Sequence, residues 1–308
     1  MSIKPLTSIR GVIPALITCF DEHGEFDPKR QRAVVRFLLS KKVDGLYVTG
    51  STGEFFLLST EERRHILELV LDEVAGQVPV IAHVGAVSTK ASAELARHAQ
   101  ASGADAVSSV PPYYWKFTND EIVDYYQRVS EATEIPMVAY NIALSGLFGF
   151  DLIRRLAALP NVKGLKYTAP SHFEIGRIKT EVGRDFVVYS GADEMAFSGL
   201  SVGADGIIGS FYNVIPEVFQ RLYAAVGRGA LDEARQLQEQ ANGVIFRALE
   251  HNLLPAVKAL LLGAGIDAGP CRHPLLPLSQ AAASTLRASV KKWRDDQNLR
   301  GVAALDGL

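Results

Sequence analysis

Between Gly11 and Ala225 the chain alternates eight times between a short apolar run and a longer amphipathic one. Few folds accept that pattern. The runs Gly11–Thr18, Gly45–Val48, Val78–Ala82, Ala106–Val110, Pro136–Tyr140, Val162–Thr168, Phe186–Ser190 and Gly206–Gly209 read as strands. Most are apolar without interruption, as suits strands covered on both faces of a parallel sheet. The intervening segments read as helices. Asp27-Pro28 has the capping residue and first-turn proline of a helix start, and Val34, Val35, Leu38 and Leu39 continue it at helical spacing to Lys42. Ser59-Thr60-Glu61-Glu62 has capping-box spacing and leads to Ile66, Leu69 and Val70. Further helices are expected over Thr89–Ala101, Asn119–Ala132, Phe150–Leu159, His172–Val182, Glu194–Val202 and Val214–Ala225.

Eight strand–helix units of this length are the content of a (β/α)8 TIM barrel. An open doubly wound sheet is the main competitor, but no G-x-G-x-x-G turn follows the first strand. After Gly227-Arg228-Gly229 the pattern becomes helix only, over Asp232–Asn252, Pro255–Leu262 and Pro277–Asp295. No flexible linker intervenes. The expected organisation is a catalytic barrel over residues 1–228 and a C-terminal helical extension over 229–308 packed on it.

Composition narrows the function by exclusion. The 308 residues are 48% hydrophobic and 21% charged, ordinary values for a globular protein. A net charge of −2 gives no general attraction to nucleic acid or an anionic membrane. No apolar run is long enough to span a bilayer, and Met1–Pro5 lacks the apolar core of a signal segment, so a cytoplasmic protein is expected. Cys19 and Cys271 make no metal-binding pattern and are expected as free thiols.

In such a barrel the loops after the strands build the active site at one mouth. The strand ends here carry Thr49–Glu54, His83, Tyr113 and Tyr114, Tyr140 and Asn141, Lys166 and Thr168, Ser190 through Glu194, and Ser210. Strand parity sets Val162, Gly164 and Lys166 on one face and Lys163, Leu165 and Tyr167 on the other. A desolvated amine gives up its proton more readily and can attack a carbonyl to form a Schiff base. Alone, Lys166 also reads as a strand-end lysine whose stem packs while its head reaches water. The reactive groups converging from the other strand ends favour the Schiff-base role.

The remaining candidates carry similar pairs of readings. Gly50-Ser51-Thr52-Gly53 offers two hydroxyls and several backbone N–H groups, a nest for a small carboxylate or phosphate or an ordinary tight turn. Tyr140 could shuttle a proton or simply pack. Asp193 and Glu194 open a helix, where they either cap it or hydrogen-bond a polyol. His83 reads as a satisfied core histidine. With no companion cluster of His, Asp or Glu at ligand spacing, no metal is expected.

Taken together, G-S-T-G-E (Gly50–Glu54), P-Y-Y (Pro112–Tyr114), Y-N (Tyr140, Asn141), L-K-Y-T (Leu165–Thr168) and G-x-D-E (Gly191–Glu194), in this order, resemble the pyruvate-dependent class I aldolase family of dihydrodipicolinate synthase and N-acetylneuraminate (sialic acid) lyase. The resemblance runs from Gly11 to Pro274. The lyase branch matches better, through Ala82–Gly85, Val87–Thr89, Ala143–Gly146, Gly191–Glu194 and Gly209–Asn213. The synthases carry an arginine in the loop after Y-N, and Leu144 stands about there. The chain departs from the lyases in reading Y-N-I-A-L-S-G, one residue shorter and without their proline, and in having Phe211 where threonine is usual. Proline fixes φ, so its loss leaves this loop free to sit differently.

The resemblance implies a reaction and roles. Lys166 would form the imine with pyruvate or the sugar keto acid, and Ser51 and Thr52 would hold the carboxylate. Tyr140 would pass the proton, positioned by Thr52 and by Tyr114 of a neighbouring subunit. Thr168, Gly191, Asp193, Glu194 and Ser210 would bind the sugar hydroxyls. The implied activity is reversible cleavage of N-acetylneuraminate to N-acetylmannosamine and pyruvate, without metal or organic cofactor, in a homotetramer built as a dimer of dimers. The alternatives are an aldolase or hydratase-aldolase of the same family with another aldehyde, a non-catalytic keto-acid or sialic-acid sensor, and a metal-dependent barrel aldolase.

Overall fold

The computed structural model describes residues 3–308. Its centre is an eight-stranded parallel sheet: β1 (Gly11–Pro14), β2 (Leu46–Val48), β3 (Val80–His83), β4 (Ala106–Ser109), β5 (Met137–Ile142), β6 (Val162–Thr168), β7 (Val187–Ser190) and β8 (Gly206–Gly209). Neighbours in the sheet follow chain order from β2 to β8, and β8 pairs with β1. The last gap, between β1 and β2, closes through a parallel bridge from Ala15 to Tyr47. Helices α1 (Pro28–Ser40), α2 (Thr60–Val74), α3 (Thr89–Ser102), α4 (Asn119–Glu131), α5 (Phe150–Ala157), α6 (Phe173–Glu181), α7 (Ala196–Ser201) and α8 (Pro216–Gly227) alternate with the strands. The (β/α)8 barrel is as expected.

Local chemistry sets several helix starts. Asp27 accepts hydrogen bonds from the N–H groups of Lys29 and Arg30, with Pro28 in the first turn, and Ser59 and Glu62 form both bonds of the capping box. Several expected boundaries shift, and two of the shifts bear on the barrel mouth. β1 ends at Pro14 instead of reaching Thr18, because side chains then take over the backbone donors: Ile17 N–H donates to Asn213 and Cys19 N–H to Gln31. The expected helix from Glu194 is a 3-10 turn, Asp193–Met195, followed by α7, and neither is capped by the side chain of its own N-cap residue. The Asp193 carboxylate instead accepts the N–H of Phe211, at 2.7 Å.

Two apolar clusters fill the molecule. Ile13, Tyr47, Ile81, Val138, Tyr140, Val187, Tyr189 and Ile208 point into the barrel, and a larger cluster joins the outer faces of the strands to the helices. The strict parity expected for β6 breaks at its start. Met137 pairs with Val162 but Val138 pairs with Gly164, so Lys163 is an extra residue. This bulge turns Val162 into the outer cluster with Leu165 and Tyr167, while Gly164 and Lys166 keep the inward face.

The C-terminal helices α9 (Leu231–Leu249), α10 (Leu253–Leu261), α11 (Gln280–Asp296) and α12 (Ala303–Asp306) share the outer core with the barrel, through residues such as Leu237, Val244, Val257 and Val290. Gln238 of α9 reaches the mouth, donating to the carbonyl of Asp193 at 3.0 Å and accepting the N–H of Phe197 at 2.8 Å. No helix among the described residues is long and apolar enough to cross a membrane.

Candidate active site

Lys166 projects from β6 into the barrel and is 4% exposed. Its Nζ lies 4.5 Å from the centre of the Tyr47 ring and 4.2 Å from that of Tyr140. The electron-rich ring faces favour a cation there without hydrogen-bonding it. Among the described residues no carboxylate comes within ion-pair distance of this amine, although the chain forms such pairs at more than twenty other places. A buried amine held this way keeps its nitrogen open to a ligand.

The strand ends around it bring the other candidates together. Ser51, Thr52, Tyr140, Lys166, Thr168, Gly191, Asp193, Glu194 and Ser210 all line one cavity of about 470 Å³. Thr168 Oγ1 is buried there with no hydrogen-bond partner among the described residues, a donor free for a ligand. Gly191 makes room for it: a Cβ at this position would lie 1.9 Å from Thr168 Oγ1 and 3.1 Å from Lys166 Cε. Gly209 plays the same part beside Asp193, whose Oδ1 would be 1.9 Å from an added Cβ. Burial pushes the Asp193 carboxyl up to about 7, against the opposing pull of the Phe211 N–H and the Lys166 charge.

The loop after β2 is held in a tight shape. Thr49 and Glu54 both have left-handed backbone, φ 52° and 57°. Gly53 O accepts from Thr18 Oγ1 at 2.7 Å, and Thr49 O from His83 Nδ1 at 3.0 Å. Ser51 and Thr52 donate no backbone hydrogen bond to another group of the described chain, so their N–H groups form an open nest at the cavity wall. Thr52 Oγ1 sits 2.7 Å from Ser210 Oγ. The Tyr140 hydroxyl makes no hydrogen bond to Thr52 among the described residues, and the threonine hydroxyl is engaged across the barrel mouth.

Of the residues given catalytic or substrate-binding roles, Tyr114 alone lies outside the cavity. It is 98% exposed on a left-handed residue, φ 80°, with Trp115 exposed beside it. His83 is the satisfied core histidine expected. Val110 N–H donates to Nε2 at 3.3 Å, so Nδ1 carries the proton given to Thr49 O. Burial first, and then the charges of Arg63 and Lys166, hold its pKa well below the ordinary value and keep the ring neutral.

Two parts of the site were not singled out in the sequence. Tyr47 is an inward residue of β2 whose ring faces the amine and whose hydroxyl bonds Ser108 at 3.0 Å. A phenol amid the apolar run Leu46–Val48 was the available signal. Burial, and then the neighbouring Tyr140, holds the Tyr47 phenol well above its ordinary pKa. Ile245, Leu249, Leu253 and Leu254 of α9 and α10, with Phe56 and Leu144, make the outer wall apolar. Nothing local in the sequence ties those helices to the barrel mouth.

The Dihydrodipicolinate synthetase family matches residues 8–293. N-acetylneuraminate lyase of Citrobacter koseri is 40% identical over 293 residues, covering 94% of this chain and 98% of its own. The Escherichia coli N-acetylneuraminate lyase is likewise 40% identical, over 295 residues that span 94% of this chain and 99% of its own. A catalytic-lysine mutant of Ruminococcus gnavus sialic acid aldolase superposes with a TM-score of 0.91 at 32% identity, covering 95% of this chain and 98% of that one. With nearly the whole barrel and most of the extension matched, the chain belongs to the dihydrodipicolinate synthetase family.

Proposed function

We propose that the protein is a Schiff-base (class I) aldolase that reversibly cleaves N-acetylneuraminate to N-acetylmannosamine and pyruvate. The observation that carries this reading is the Lys166 amine, buried without a carboxylate partner in a cavity lined by hydroxyls. The similarity to N-acetylneuraminate lyases over nearly the full length supports the choice of sugar.

In this mechanism Lys166 attacks the keto carbon and water leaves, giving an imine. The protonated imine draws in the electron pair of the bond between the next two carbons. Tyr140, whose ring lies against Lys166, takes the proton of the adjacent hydroxyl, and the aldehyde departs. The enamine left behind is protonated on carbon, and water releases pyruvate and the free amine. The N–H groups and hydroxyls of Ser51 and Thr52 hold the carboxylate. Thr168, Gly191, Asp193, Glu194 and Ser210 meet the hydroxyl chain. No step uses a metal or an organic cofactor.

The working unit in this reading is a homotetramer, a dimer of dimers, in which Tyr114 reaches the site of a neighbour. The exposure of Tyr114 and Trp115 on the loop after β4 supports a contact with a second copy. Function in the cytoplasm accords with two buried free thiols, Cys19 and Cys271.

The test is a panel of 2-keto acid sugars assayed for pyruvate release, with matching aldehydes in the synthetic direction. The proposal expects N-acetylneuraminate and N-acetylmannosamine to give the highest kcat/KM. A stronger preference for an aldehyde without the N-acetyl sugar would replace the assigned substrate by another of the same chemistry.

A further inference from the structure

Glu54 closes the loop that carries Ser51 and Thr52, yet its side chain turns away from the cavity. It is 0% exposed, and its Oε1 lies 2.9 Å from Nζ of Lys258 on α10, itself 4% exposed. Its Oε2 accepts the N–H of Arg272 at 2.9 Å. Lys258 also donates to the carbonyl of Pro270 at 2.7 Å and sits over the Phe20 ring. Arg272 continues the contact, donating to the carbonyl of Leu57 at 3.1 Å and pairing with Glu62 at 2.6 Å. Every polar group of the pair is matched, and the partners beyond the loop come from the C-terminal segment, from α2 and, through Phe20 and the Gly24 carbonyl, from the segment after β1.

A buried ion pair is a poor source of net stability, because desolvating both charges offsets their attraction. Geometry is the better account of this one. The Glu54 backbone is left-handed, φ 57°, and its N–H donates to Ser51 O at 3.1 Å, so holding the carboxylate fixes the turn from Ser51 to Glu54. That turn sets the direction of the free N–H groups of Ser51 and Thr52. We infer that the Lys258–Glu54 pair is a positioning device through which the C-terminal helices set the carboxylate-binding nest. The two residues touch no substrate; they act through the loop. This inference rests on the proposed function, in which the nest binds the keto-acid carboxylate.

The experiment is borohydride trapping of pyruvate on Lys166, titrated with pyruvate, in the wild type and in E54Q/K258M. The double variant removes both charges while nearly keeping their shape, which guards against leaving one charge buried alone. A displacement of the nest well under an ångström suffices for about a tenfold rise in half-saturating pyruvate. We expect that rise with the maximal trapped fraction retained, and with the half-saturating aldehyde concentration unchanged in the synthetic direction. A variant with a lower Tm but wild-type half-saturation would reduce the pair to a structural contact and overturn the inference. If the double variant does not fold, Glu54→Asp, which keeps both charges and shortens the reach to Lys258, is titrated in the same way, and wild-type half-saturation there too overturns the inference. A wild type that traps no pyruvate overturns the functional reading itself, a failure distinct from equal titrations in both proteins.

Discussion

The molecule holds two lysines of equal burial, Lys166 and Lys258, each 4% exposed, and their surroundings are opposite. Lys258 has a carboxylate at 2.9 Å, a carbonyl at 2.7 Å and an aromatic ring beneath it. Lys166 has two aromatic rings and no carboxylate. Burial alone therefore does not mark the reactive amine. In the proposed function the missing partner does. There Lys258, committed to protein groups, fixes a loop, whereas Lys166 is left for a carbonyl that the protein does not supply.

The comparison is broken most sharply by removing each amine. Lys166→Met should lower kcat/KM by on the order of 10⁴-fold or more, as the loss of a nucleophile does. Its urea midpoint should stay unchanged or rise, since a thioether suits that apolar site. Lys258→Met should do the reverse to stability, costing about 3–5 kcal/mol by urea titration because Glu54 is left charged and buried. Equal stability losses in the two variants would erase the distinction drawn between them.

Asp193 extends the contrast to a carboxylate buried at the mouth. Burial raises it from an ordinary 3.8 to about 7, so the folded chain binds this proton more tightly than the unfolded one. Its contribution is complete below pH 3.8 and is lost as the pH rises through about 7. Asp193→Asn should flatten that decline, and the difference between the two stability profiles over this range should be on the order of a few kcal/mol. Parallel profiles would show that Asp193 does not titrate there. The smallest effect is expected for Gly191→Ala, whose methyl meets Thr168 and the Lys166 side chain. It should cost about 1–3 kcal/mol by urea titration, and kcat/KM should fall with it.

Much of this was legible in the sequence. The eight apolar runs specify the barrel, and Ser51, Thr52, Tyr140, Lys166, Thr168, Gly191, Asp193, Glu194 and Ser210 from its strand ends line one cavity. What escaped had physical reasons. Val162 changed faces because one bulge shifts parity, and periodicity assumes an unbroken register. Glu54 belongs to the same motif as Ser51 and Thr52 but points the other way, since its left-handed backbone turns the side chain from the mouth. Its partner lies 204 positions later. Tyr114 faces outward, 98% exposed, and in the proposed function the site it reaches belongs to a second copy. The apolar wall from α9 and α10 depends on how those helices dock, which no local pattern encodes.

The central claim, that Lys166 is the amine left free for a carbonyl, is tested most directly by reducing the protein with sodium borohydride in the presence of pyruvate and mapping the added mass by peptide. The account predicts a single reduced pyruvate adduct on Lys166, absent from Lys166→Met. An adduct on Lys258 or another lysine, or none at all, would contradict it.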